Sequence, residues 1–159
     1  FPLEILPVIQ LVAAAFHGLV SVVVLLVAKL LFTGSVPVTA LFFPLVIFPL
    51  LILILGLSWA LASLGVFARD VGQTIGLITS VMLFMSPVFF PIKSLPEPLQ
   101  PWMRLHPLTF MIEQVREVLV WGHMPQWSGL LLYGVISLGV AWLGFSWFQK
   151  TRKGFADVL

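Results

Sequence analysis

The chain has 159 residues, of which 60% are hydrophobic and 9% charged, and its mean hydropathy is +1.14. A soluble domain carries about a quarter charged residues, so this composition excludes one and makes lipid the solvent. The net charge of +2 reflects few charges and no basic patch, which implies no nucleic acid, and the absence of cysteine excludes disulfides, thiolate metal sites and cysteine nucleophiles.

Four stretches lack Asp, Glu, Lys and Arg: residues 5–28, 30–68, 71–92 and 118–149. Each can supply the ~20 residues that a spanning helix needs. The fold class expected is therefore an all-α integral membrane domain with four transmembrane helices. The first is predicted over residues 8–32, entered through "FPLEILP", with Pro7 suited to a helix start. Gly34, Ser35 and Pro37 make the turn after it. The second covers residues 41–67 and contains Pro44 and Pro49, which predict a kink near its start. It ends at "ARD". Asp70 then has capping-box spacing to Gln73 and is expected to cap a third helix running to residue 90. The fourth is predicted over residues 128–148, followed by a short basic tail.

The segment between the third and fourth helices differs in character. "SPVFFPIKSLPEP" holds four of the chain's 12 prolines, and Pro101 and Pro107 follow. Ser94 and Glu97 again have capping-box spacing and predict a short helix that Pro101 would strain. "TFMIEQVREVLV" then shows a 3.6-residue period, with Thr109 as its expected N-cap. Met111, Ile112, Val115, Val118 and Leu119 fall on its apolar face, and Glu113, Gln114, Arg116 and Glu117 on the polar one. Its twelve residues reach only ~18 Å, too short to cross ~30 Å of hydrocarbon. The segment should form short interfacial or re-entrant helices. Irregular backbone at membrane depth survives only where protein or water covers it, so a pore mouth or cavity is the expected setting.

Catalytic signatures are sparse. The six acids form no paired Asp cluster, and His17, His106 and His123 lack metal-ligand spacing. His17 lies within the first helix and is expected to be neutral and hydrogen-bonded to a neighbouring helix, with no acid nearby for a proton relay. Trp102, Trp121 and Trp127 are placed at one interface and Trp147 at the other, as an aromatic belt. Trp59 and Trp142 sit deeper, where packing or lipid contact competes with stacking on sugar rings along a path. Gly72/Gly76, Ala14/Gly18 and Gly56/Ala60 match the small-xxx-small pattern of close helix contact. The positive-inside rule does not choose an orientation, since four Lys or Arg fall on each side.

Taken together, "FPLEILP", "FARDVGQ", "SPVFFPIKSLPEPLQ", "HPLTFMIEQVREVL" and the terminal "GFADVL" resemble the permease subunit of ABC exporters for lipid-linked polysaccharides. These ABC-2 type exporters carry O-antigen, capsule or teichoic acid. The resemblance covers essentially the whole chain and implies one transmembrane domain over residues 1–159, the last four helices of a six-helix subunit. It implies a permease homodimer in the bacterial inner membrane, with ATPase subunits at the cytoplasmic face. No cofactor is expected on this chain, because ATP and Mg²⁺ belong to the partner. Phe1, Leu3, Glu4, Ile5, Arg69 and Asp70 are implied to couple to the ATPase. Pro87, Phe89, Phe90, Pro91, Pro107, Thr109, Glu113 and Arg116 are implied to form an outer gate. Trp59 and Trp142 are candidates for the channel wall. The chain departs from the family at His106, where Asn is usual, and at Leu3, where a basic residue is common. Two other readings stand beside this one. One is an ABC permease for a drug or simple lipid. The other is a membrane-embedded glycosyl or prenyl transferase, which would need clustered acids.

Overall fold

The computed structural model describes residues 3–67, 70–88, 92–104, 106–152 and 154. These residues form helices and turns, with no strand among them. Three helices are long and apolar enough to cross a membrane: α1 (Ile5–Thr33), α2 (Phe43–Phe67) and α6 (Trp127–Thr151). A shorter apolar helix, α3 (Val71–Met85), makes the fourth. The chain is a multi-pass, all-helical membrane domain.

α1 closes on Gly34, whose φ of +71° lies in the left-handed region that glycine adopts without penalty. The Gly34 amide donates to Leu30 O at 2.9 Å. A 3₁₀ turn, Val38–Phe42, then leads into α2. Pro44 falls in the first turn of α2, where a missing N–H costs nothing, and the helix continues through Pro49. The irregular backbone thus lies in the 3₁₀ turn ahead of Phe43, whereas the sequence predicts a kink within the helix at Pro44 and Pro49.

α3 stops at Met85, five residues earlier than its apolar run suggests. Ser86 precedes Pro87 and takes extended backbone (φ −86°, ψ 144°), the conformation that a following proline favours. At about 22 Å, α3 is shorter than the hydrocarbon core. Asp70 occupies its N-cap position, but its side chain makes no capping hydrogen bond. Its backbone is helical (φ −73°, ψ −15°), whereas a capping side chain requires extended backbone to turn back on the helix.

The proline-rich segment forms 3₁₀ turns at Ile92–Ser94 and Glu97–Leu99, then the short α4 (Gln100–Arg104). Pro96, not Ser94, stands at the N-cap of the second turn. Pro101 lies in the first turn of α4, where it is tolerated. α5 (Pro107–Arg116) follows, and a π-helical turn, Glu117–Trp121, extends it. The N-cap of α5 is His106 and not Thr109: the imidazole Nδ1 accepts from the Leu108 amide at 3.3 Å. Imidazole thereby does the capping work for which asparagine is suited.

The main packed pair is α2 and α6, which cross at Gly56, Ala141 and Gly144. A β-carbon on Gly144 would lie 2.0 Å from Gly56 O, and one on Gly56 would lie 2.5 Å from Ala141 Cα. Ser63 and Thr151 share a hydrogen bond of 2.8 Å across the same interface. The other two small-residue pairs do not meet helices here. Gly18, Gly72 and Gly76 face open space. Ala14 and Gly18 instead line a cavity of about 510 Å³ between α1 and α2. The buried apolar core is small and lies at the α5 end, where Val46, Met111, Val118 and Leu130 cluster with Phe42, Leu50 and Phe110. Most other apolar side chains are exposed, as expected where lipid replaces water.

Candidate functional site

Two polar constellations stand at opposite ends of α1. The first surrounds Glu4. Its carboxylate accepts from Gln149 Nε2 at 3.1 Å and pairs with the Arg152 guanidinium, both from the end of α6. Its backbone carbonyl accepts from the Trp59 indole N–H at 3.0 Å. Trp59 packs edge-on to Phe145, with ring centroids 4.9 Å apart. Trp59 is therefore held in helix packing, whereas Trp142 is 70% exposed. Leu3, Ile5 and Asp70 are exposed, so of these coupling candidates Glu4 is the one turned inward. Phe1 and Arg69 lie outside the described residues.

A hydrogen bond from its own backbone holds the Glu4 carboxyl below the usual carboxylate range. Partial desolvation opposes this, and Gln149 and Arg152 reinforce it. A lowered folded-state pKa stabilises the fold above the unfolded value and is lost as pH falls through the folded one. Wild type should therefore melt above Glu4→Gln at neutral pH, and the difference should shrink as pH falls below about 4. A gap that persisted unchanged in acid would mean that the charge is not its source.

The second constellation seats α5 and its closing π turn. Buried Thr109, Met111, Gln114, Val118 and Leu119 face the core. Gln114 departs from the polar face expected of it, because its Oε1 accepts the Gln126 amide at 2.7 Å and so fixes the entry into α6. Arg116 Nη2 donates to Pro87 O at 2.9 Å and Val88 O at 3.4 Å, tying α5 to the end of α3. Tyr133 donates to Pro107 O at 3.1 Å. Thr39 donates to Val118 O at 2.8 Å, and Lys29 reaches Leu119 O at 3.3 Å and Val120 O. Glu117 pairs with His123 at 2.5 Å. Gly122 ends the π turn at φ +77°, a value that strains any other residue.

Of the gate candidates, the structure brings Pro87, Pro107, Thr109 and Arg116 into this assembly and leaves Glu113 half-buried on α5. Phe89, Phe90 and Pro91 lie outside the described residues. Proline spacing suggests a segment uncoupled from the long helices, but side chains bind α5 to α2, α3 and α6. Ser86 Oγ, His106 Nε2 and Thr109 Oγ1 are buried without a hydrogen-bond partner among the described residues. Such unmet groups are uncommon in a settled core. His17 is exposed, its ring edge-on to Phe16 at 6.1 Å, and shows no bond to a neighbouring helix among the described residues. Among those residues no group of three His, Cys, Asp or Glu could hold a metal.

Sequence reasoning missed Lys29, Thr39, Gln149 and Arg152. Lys29 did leave a signal, as the only Asp, Glu, Lys or Arg from residue 5 to residue 68. The other three are polar residues of ordinary kind, and only the helix packing selects them.

Residues 2–120 match the ABC-2 type transporter family. The chain belongs to that family. Three curated proteins that it resembles are each named O-antigen export system permease protein RfbA. The one from Myxococcus xanthus is 21% identical over 159 residues, 99% of this chain and 61% of that protein. Two from Klebsiella pneumoniae are 25% and 24% identical over 100% of this chain and 61% of their own length. The chain thus spans about three fifths of the length of these relatives.

Proposed function

We propose that residues 1–159 form part of the permease subunit of an ATP-driven exporter of lipid-linked polysaccharide in a bacterial inner membrane. The observation that carries this reading is alignment over 99–100% of the chain with three relatives named for O-antigen export. Family membership supports a partner ATPase subunit, which would hold ATP and Mg²⁺, and in the proposal two permease copies enclose the path. In this reading the Glu4 end faces the cytoplasm. Leu3, Ile5 and Asp70 are exposed to meet the ATPase, and the same role is proposed for Phe1 and Arg69, which lie outside the described residues. Glu4 passes the motion on to α6 through Gln149 and Arg152. In the proposal the segment from Pro87 to Arg116 is the outer gate. A moving polymer needs weak, repeated contacts, which exposed aromatic faces such as Trp142 suit better than charges do.

The test is ATP-dependent uptake in inverted vesicles. These carry the full-length permease and its neighbouring ATPase and are supplied with a fluorescent lipid-linked polysaccharide. Uptake that requires both subunits and ATP is expected. The α1–α2 cavity is the feature that would suit a small apolar cargo. Transport of a lipophilic dye with no polysaccharide uptake would overturn the proposal in favour of a drug or lipid exporter.

A further inference from the structure

α1 contains one charged side chain, Lys29, a turn from its end. A lysine there could snorkel to water. Instead it is half-buried, and its ammonium donates to Leu119 O at 3.3 Å and to Val120 O. With Thr39 on Val118 O, three consecutive carbonyls are met from outside their own helix. They belong to the closing π turn, Glu117–Trp121. The last carbonyls of a helix have no partner within it. They also carry the negative end of its dipole, which favours a cation. The ion pairs among the described residues are Glu117–His123 and Glu4–Arg152, and neither involves Lys29. Its charge is balanced by the helix terminus.

α1 is otherwise held loosely. None of its residues is buried, and the cavity of about 510 Å³ separates much of it from α2. Among the described residues, its side-chain bonds to other helices lie at its two ends, at Glu4 and at Lys29. A stiff helix fastened in this way transmits displacement from one end to the other.

We propose that Lys29 is the positioning residue that latches α5, through its closing π turn, to α1. Movement at the Glu4 end reaches the helix through the bonds to Leu119 O and Val120 O. The role in gating rests on the transport reading above, whereas the latch itself does not.

Val46 reports the latch, because it is 0% exposed and packs in the core beneath Met111 and Val118. In a full-length permease with no other cysteine, Val46→Cys should react slowly with a membrane-impermeant maleimide. Adding Lys29→Met should speed labelling about tenfold or more, the scale of a lost bond to a charged group. Lys29→Arg should restore protection, since it keeps a cationic donor. Should Lys29→Met fail to accumulate, Lys29→Gln replaces it, with a smaller increase expected. Protection unchanged in the neutral variant, at normal membrane level, would overturn the latch. Faster labelling without change in polysaccharide export or solute leak would leave the latch standing and remove the gate reading.

Discussion

Gly144→Ala should destabilise the permease sharply, whereas Gly139→Ala on the same helix should leave it unchanged. Both substitutions add one methyl group to α6. At Gly139 the new β-carbon meets nothing within 4 Å. At Gly144 it would lie 2.0 Å from Gly56 O and 2.8 Å from Gly56 C. These are backbone atoms, so no rotamer change relieves the clash. A carbon needs about 3.3 Å from a carbonyl oxygen, so α2 and α6 must part by roughly 1 Å. Overpacking of this kind costs about 1–3 kcal/mol and sometimes more. The separation also pulls on the Ser63–Thr151 bond along the same interface. Lipid gives little hydrophobic drive to press the helices back together. The measurement is membrane level and melting temperature of the full-length protein in detergent. Equal melting of the two variants would show that this crossing does not carry the bundle.

Met111→Asp should unseat α5. Met111 is 1% exposed and packs with Val46, Val118 and Leu130. An unpaired carboxylate there costs several kcal/mol if the helix stays seated. Moving the helix outward is the cheaper response. In the proposed exporter the result is a small-solute leak and loss of polysaccharide export. Val115→Asp should have a milder effect, because Val115 is only partly buried against the same cluster. Met124→Asp is the control: it lies past the π turn and is 65% exposed. Leak and export are measured at matched membrane levels. Should Met111→Asp fail to accumulate, Met111→Ala tests the same seat at a cost of about 2–5 kcal/mol. A sealed membrane and normal export in both would mean that this helix does not close a path.

The sequence by itself determined the solvent, the helical class and the place of the irregular segment. Those follow from counting apolar residues between charges and from the prolines at 87–107. Lipid requires every spanning backbone group to bond within its own helix, so apolar length alone reads as structure. The apolar–polar period likewise exposed α5 as a short amphipathic helix. Ser86 before Pro87 marks the end of α3, although the apolar run continues past it.

Only the tertiary structure decided which residues act together. Three pairs of small residues look alike in sequence, yet Gly56 alone among their glycines meets a helix backbone, because its partners on α6 are more than 80 positions away. Periodicity put Gln114 with solvent, and the turn into α6 drew it inward. Glu4 looks like a free docking charge until the end of α6 arrives beside it with Gln149 and Arg152. Lys29 stands in the sequence as a lone charge between two apolar stretches, and only the π turn shows which carbonyls it meets. Local pattern records how each helix divides its faces. Pairings between distant residues depend on where helices cross and end, and a polar side chain in lipid takes whichever partner that geometry brings.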